Sequence, residues 1–98
     1  MKNVRRFVYT DPGHGWLKVS LQELQDLGII HCISEYSYIH GHNAYLEEDC
    51  DMGVYLDAMD RDGKRVQFVD RHTDKTSRIR KYRMYSIEEA MDIMEATE

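Results

Sequence analysis

The chain has little of the material that marks membrane, secreted and disordered proteins. Its 98 residues include one proline, two cysteines and two phenylalanines. No hydrophobic run approaches the length needed to span a bilayer, and no apolar segment typical of a secretory signal follows the N-terminus. Internal repeats, low-complexity stretches and linker-like stretches are also missing. We therefore expect one globular domain that covers residues 1–98.

The two cysteines, Cys32 and Cys50, lie far apart in the sequence, and neither belongs to a closely spaced pair. Two free thiols would be a liability in a small exported protein, so we predict a cytoplasmic protein in a reducing compartment. A disulfide between them stays open as an alternative, because spacing alone does not decide pairing.

Charge is unevenly distributed along the chain. The formal net charge of -5 argues against a general nucleic-acid binder, whose footprint is basic overall. Residues 71–83 nevertheless carry six cations against the single acid Asp74, whereas residues 47–62 are acidic. A chain polarised in this way is interpreted region by region.

Two β-hairpins are predicted. Val4–Thr10 and Trp16–Val19 read as strands, and Asp11–Gly15 joins them with a proline that presets φ and glycines that accept positive φ. Ile33–Ile39 and Ala44–Glu48 are predicted as the second pair of strands, on either side of a Gly-His-Asn turn.

Three helices are predicted. Ser20–Glu23 and Ser86–Glu89 are capping boxes, in which each side chain satisfies a backbone donor of the other residue. The first opens a helix that Gly28 ends, and the second opens the C-terminal helix. A third helix is predicted between these two. Asp49 or Asp51 is expected to cap its start, and Asp62–Gly63 is expected to end it. Its core-facing residues are spaced as in an amphipathic helix and are Met52, Tyr55, Leu56 and Met59.

The elements follow each other in the order ββαββαβ(β)α. This count takes Arg65–Val69 as a strand and the end of the basic stretch after it as a short optional strand. The order predicts an α+β domain with a small antiparallel or mixed sheet of about five to six strands and three helices on one side.

Residues 71–83, which we call the basic segment, are the main candidate binding site. Guanidinium groups pair with phosphate, hydroxyls donate hydrogen bonds to it, and a tyrosine ring offers a stacking surface. The alternative is a solvated basic face that the acids of the protein itself neutralise. The candidate binding residues of the segment are Arg71, His72, Lys75, Arg78, Arg80, Tyr82 and Arg83.

The turn at residues 11–16 is a second candidate contributor to binding. His14 and Trp16 would flank an anion that the backbone N–H groups of the two glycines approach. The alternative is a tight hairpin whose Asp11 side chain caps its own turn and whose Trp16 lies in the core.

Four carboxylates crowd residues 47–51, where a strand is predicted to meet a helix. Helix capping together with a salt bridge to the basic segment is a sufficient structural explanation. The functional alternatives are a Mg²⁺ or Ca²⁺ site, although the spacing is not that of an EF-hand, and a contact surface for a basic partner. That acidic surface would consist of Glu47, Glu48, Asp49 and Asp51.

No cofactor, metal site or catalytic residue is assigned from the sequence. Zinc sites usually draw on two close ligand pairs, whereas only His40 and His42 are close here, at a turn. Neither a G-x-S-x-G motif nor a P-loop occurs. A small phosphodiester-cleaving enzyme that uses His14 and His72 for acid–base chemistry is kept as an alternative.

Three stretches of the chain carry a family resemblance: YTDPGHGW at residues 9–16, YLEEDCD at residues 45–51, and His72–Asp74 together with Ile79 and Arg80. Together they resemble a family of short proteins of bacteriophages, prophages and plasmids for which no activity is known. The resemblance spans residues 7–85 and implies a mobile-element context in a bacterial host. Small proteins of that context often act by stoichiometric binding to a host component.

We therefore predict a non-enzymatic binding protein of a phage or other mobile element, located in the cytoplasm of the bacterial host. It would interfere with a host process such as antiviral defence by binding an acidic or phosphorylated partner through the basic segment. The expected partner is a host protein or complex, with a nucleotide, a nucleic acid and self-association left open and no membrane involved. An alternative is an acidic module, formed by residues 47–62 and the C-terminal helix, that mimics the charge of DNA toward a host nucleic-acid-binding complex.

Overall fold

The computed structural model describes residues 1–96 of the chain, and six strands and three α-helices lie in that range. The strands are β1 (Lys2–Thr10), β2 (Gly15–Ser20), β3 (Tyr38–His40), β4 (Asn43–Glu47), β5 (Lys64–His72) and β6 (Arg83–Met84). The helices are α1 (Leu21–Asp26), α2 (Met52–Arg61) and α3 (Ile87–Ala96), and a 3₁₀ helix covers Arg78–Lys81. None of the helices within residues 1–96 is long and apolar enough to cross a membrane.

The strands form one mixed sheet in the order β5-β1-β2-β4-β3-β6. Both predicted hairpins are present, since β1 pairs with β2 and β3 pairs with β4 in antiparallel register. The edge strand β5 instead runs parallel to β1 along nine residue pairs. The predicted α+β class and the element order are therefore confirmed, and the sheet is mixed.

One face of the sheet carries the main core. Side chains alternate along a strand, so Leu17 and Val19 of β2 and Leu46 of β4 point to the same side, where Leu24 of α1 and Met59 of α2 cover them. All five side chains are buried. Ala90 places α3 in the same core, which puts the three helices on one side of the sheet as predicted.

The opposite face carries a smaller aromatic core. Trp16 and Tyr45 are buried there together with Ile79, which belongs to the 3₁₀ helix. Three partly buried tyrosines pack around them, namely Tyr9, Tyr38 and Tyr82. The basic segment is therefore anchored to the sheet, because its buried side chain Ile79 packs on this aromatic face.

The predicted strand Ile33–Ile39 is wrong over most of its length, because β3 begins only at Tyr38. A buried carboxylate holds the preceding residues in turns. Asp51 accepts hydrogen bonds from the Ser34 amide at 3.1 Å, from the Ser34 hydroxyl at 2.7 Å and from the Ser37 hydroxyl at 2.5 Å. These bonds compete with an extended backbone, as serine and aspartate side chains commonly do.

The helix caps match the sequence predictions in part. The Ser20 hydroxyl accepts from the Glu23 amide at 3.0 Å, and the Ser86 hydroxyl accepts from the Glu89 amide at 3.2 Å. Asp51 does precede α2, but its side chain makes no capping hydrogen bond because the two serines occupy it.

We predict that Asp51→Ala destabilises the fold by about 2–4 kcal/mol, because one buried and two half-buried donors then lose their acceptor. The matched control is Asp57→Ala, which removes an exposed carboxylate from the same helix and should change stability by less than about 0.5 kcal/mol. Urea unfolding of the two variants measures both values. Equal midpoints for the two variants would contradict a structural role for the Asp51 network.

Candidate functional site

Asp11 ties the first hairpin turn to the basic segment. Its carboxylate accepts from the amides of Gly13, His14 and Ser77, each at 3.0 Å. Its two oxygens also accept from one edge of the Arg80 guanidinium, at 2.7 Å from Nε and 2.9 Å from Nη2. The predicted cap on its own turn is therefore confirmed, and the same side chain holds a segment that lies far away in the sequence.

The charges of this pair stabilise each other. The Arg80 guanidinium, helped by the amides of Ser77, Gly13 and His14, holds the pKa of Asp11 well below its ordinary value of 3.8. The Asp11 carboxylate in turn raises the pKa of Arg80. Arg80 also lies over the Trp16 ring, with 5.2 Å between its Cζ atom and the ring centre. Its guanidinium is thus engaged within the fold.

A groove of about 790 Å³ opens between the 3₁₀ helix, the β3–β4 turn and α3, and we call it the basic groove. Arg78, Lys81 and Arg83 line it from the basic segment, and His40 and His42 line it from the turn. Its apolar lining comes from three other residues, Ile39, Ile93 and Ala96. The groove thus joins cations and hydrogen-bond donors to an apolar wall.

Two of the groove cations form no ion pair within residues 1–96, although Glu89 also lines the groove. Neither Arg78 nor Lys81 forms an ion pair with a carboxylate anywhere in residues 1–96. Arg83 pairs with Glu89 at 2.8 Å, but its side chain is 76% exposed. An exposed pair of this kind is weak, so it leaves Arg83 able to exchange partners.

An aromatic pair stiffens one wall of the groove. The rings of His40 and Tyr82 stack with 4.1 Å between their centres and 8° between their planes. Tyr82 also contacts Tyr45 of the aromatic core, at 5.2 Å between ring centres. The candidate Tyr82 is therefore part of a rigid wall that is anchored in the sheet.

The remaining candidates of the basic segment lie elsewhere. Arg71 sits over the Phe7 ring, 4.9 Å from its centre. His72 bonds the Thr10 hydroxyl at 2.8 Å and Asp74 at 3.0 Å. Lys75 is exposed in the loop that precedes the 3₁₀ helix. None of these candidates lines the basic groove.

The turn residues His14 and Trp16 line a second cavity, of about 260 Å³, which we call the acidic cavity. His14 Nδ1 lies 3.3 Å from a carboxylate oxygen of Glu47, and Asp49 and Cys50 are close by in the same lining. The imidazole of His14 therefore faces acids.

The acidic residues 47–51 divide into buried and exposed members. Glu47 and Asp51 are buried, whereas Glu48 and Asp49 are exposed. The predicted salt bridge between these acids and the basic segment is wrong: within residues 1–96 the segment pairs with Asp11 and Glu89 outside it. Burial leaves only two of the four carboxylates available for an acidic contact surface.

The sequence reasoning missed the partners that the fold brings to the basic segment. The sequence favours a solvated hairpin tip for His40 and His42, with metal ligation as the alternative, and it predicts α3 only as a core helix. The sequence does show that His40 and His42 lie at a turn. That the 3₁₀ helix lies next to this turn depends on the order of the strands in the sheet, which the sequence does not reveal. The pairing of Asp11 with Arg80 left no local signal either, because 69 positions separate them.

Comparison with known proteins adds no relative, since no family model, no curated protein and no solved structure matches the chain. The site is therefore judged on its own geometry.

We predict that the stability contributed by Asp11 is lost in acid. Because the folded pKa of Asp11 lies below its ordinary 3.8, the contribution is complete only well above that value and falls as the pH drops from about 5 toward 2. Asp11→Asn should therefore be less stable than the wild type at pH 7 and approach it at low pH. Urea midpoints at four pH values measure the difference.

The exposed Asp60→Asn is the control for this titration, because Asp60 forms no ion pair within the described residues. A gap between wild type and Asp11→Asn that stays constant from pH 7 to pH 3 would contradict the ion-pair account.

Proposed function

We propose that the chain is a non-enzymatic binding protein whose basic groove takes an acidic or phosphorylated group of its partner. One observation carries the proposal: Arg78 and Lys81 converge on the groove without any carboxylate partner in residues 1–96. The neighbouring Arg80, by contrast, is paired within the fold. Cations that line one groove without a carboxylate partner among the described residues are available to an outside anion.

The chemistry of the groove favours phosphate attached to an organic body over bare inorganic phosphate. The Arg78 guanidinium offers two parallel donors to a phosphate or carboxylate, and Lys81 adds a point charge. Ile39 and the stacked ring of His40 supply an apolar wall beside these donors. A ligand that is charged at one end and apolar next to it would use both features.

The family resemblance supports a host partner for this groove. In a mobile-element protein, stoichiometric capture of a host component in the cytoplasm would interfere with a process such as antiviral defence. The expected partner is therefore a host protein or complex.

The two alternative functions gain less support from the geometry. His14 lies beside Trp16 on the aromatic face, whereas His72 bonds Thr10, which alternation places on the helix side of the sheet. A shared acid–base step would therefore have to act across the sheet. A charge mimic of DNA would lose the buried Glu47 and Asp51 from its surface but would keep exposed acids such as Asp57 and Asp60, so it stays an alternative.

We predict that the double variant Arg78→Ala/Lys81→Ala loses partner binding. Immobilised protein would be used to capture partners from a bacterial lysate, and the captured component would then be titrated at two salt concentrations. Loss of two charge-assisted contacts, each worth about 1.5–3 kcal/mol, should weaken binding by about a hundredfold or more. Wild-type binding should also weaken as salt rises, because the contacts are ionic.

The matched control is Arg61→Ala/Arg65→Ala, which removes the same charge from two exposed residues outside the groove. This control should bind as the wild type does. Equal affinity of both double variants for the captured component would mean that the basic segment is only a solvated face.

A further inference from the structure

The acidic cavity gathers metal-ligating side chains from two separate parts of the chain. His14 comes from the turn between β1 and β2, and Glu47 and Asp49 come from the end of β4 and the connection to α2. One ligand atom from each of the three lies within 4.8 Å of the other two. The basic groove shares none of these residues, so this site is independent of the proposed function.

The Glu47 carboxylate is held in position by the backbone that follows it. Its Oε2 atom accepts from the amides of Asp49 at 2.8 Å and Cys50 at 3.0 Å. Its Oε1 atom points toward His14 Nδ1, and the Glu47 amide donates to the Ser37 hydroxyl at 2.9 Å. Hydrogen bonds of this kind fix the orientation of metal ligands. One oxygen is thereby fixed and the other faces the imidazole.

The spacing of these atoms suits a small divalent ion. Ligand bonds of about 2.0–2.2 Å in a tetrahedral site place neighbouring ligand atoms roughly 3.3–3.6 Å apart. The 3.3 Å between His14 Nδ1 and Glu47 Oε1 already matches that separation. Asp49 is exposed, so its side chain can rotate to close the remaining distance.

The surroundings of the cavity also suit a cation. Arg80 is the cation in the lining, and its charge is matched by Asp11. Two carboxylates, Glu47 and Asp49, are then left facing one imidazole. A cation that bound among them would be attracted by both carboxylates.

Trp16 gives a second, independent pointer to a ligand. This residue lines the acidic cavity and is 2% exposed. Its indole Nε1–H is the only buried side-chain polar atom in residues 1–96 without a hydrogen-bond partner. Buried donors are normally satisfied, so an acceptor brought in with a ligand, such as a metal-bound water, would complete this one.

We propose that His14, Glu47 and Asp49 bind a divalent transition-metal ion of the Zn²⁺ class, with water in the remaining coordination position. The imidazole nitrogen selects such an ion over Mg²⁺ and Ca²⁺, which prefer all-oxygen sites. The bound ion would link the β1–β2 turn to the connection between β4 and α2.

The test uses untagged protein that has been treated with EDTA and then exchanged into chelator-free buffer. Zn²⁺ binding is measured by calorimetry, and Co²⁺ is added as a spectroscopic probe of the ligand field. We expect one equivalent of Zn²⁺ per chain, a rise in Tm on loading, and visible Co²⁺ bands of four-coordinate intensity. Absence of saturable Zn²⁺ binding would overturn the proposal and leave the three residues as a hydrogen-bonded cluster.

Variants assign the ligands. His14→Ala and Asp49→Asn should each weaken Zn²⁺ binding by more than about tenfold. Loss of a residue that only hydrogen-bonds a metal ligand already lowers metal affinity by about tenfold or more. Asp49 is exposed, so Asp49→Asn tests the site even if His14→Ala perturbs the turn. The controls are His31→Ala and Asp57→Asn, which remove the same chemical groups from exposed residues outside both sites and should bind as the wild type does.

Three outcomes would overturn this assignment. The first is unchanged Zn²⁺ affinity in both His14→Ala and Asp49→Asn. The second is displacement of Co²⁺ by millimolar Mg²⁺, which would contradict the class of ion. The third is a thiolate charge-transfer band that disappears in Cys50→Ser, which would contradict the ligand set.

Discussion

The ion pair between Asp11 and Arg80 is the contact on which the rest of the candidate surface depends. It spans 69 positions of sequence and pins the basic segment to the first hairpin turn. With Arg80 fixed, Ile79 packs against Trp16 and Tyr45 on the aromatic face. Arg78 and Lys81 of the same 3₁₀ helix are exposed, and both line the groove beside the β3–β4 turn. One ion pair with a buried carboxylate thus positions two cations that have no carboxylate partner within residues 1–96.

Local chemistry made much of the fold predictable from the sequence. Asp11–Gly15 and the capping serines Ser20 and Ser86 act within a few residues, so their turn and helix starts could be inferred directly. The strand expected at Ile33–Ile39 failed for the opposite reason. Its β propensity was overridden by Asp51, a residue whose burial beside Ser34 and Ser37 depends on the packing of α2.

The candidate site was predictable as a charged segment but not as a surface. Charge counting identified residues 71–83, yet it could not separate Arg80, which is paired internally, from Arg78, which has no ion pair in the described part of the chain. It also could not show that His14 faces Glu47, because strand order decides which segments meet at that cavity. The fold therefore separates the candidate residues into two sites. Cations line the basic groove, and an imidazole faces carboxylates in the acidic cavity.

The central claim is that the fold uses Arg80 internally and presents Arg78 and Lys81 to an outside anion. The most direct measurement is a backbone amide NMR titration of the wild type with pyrophosphate, the smallest probe of such an anion site. The account predicts saturable shifts that are largest at Arg78, Lys81 and His42, with residues 13–16 and 47–50 unmoved. Absence of saturable shifts at the groove, or a maximum at the His14 turn, would contradict it.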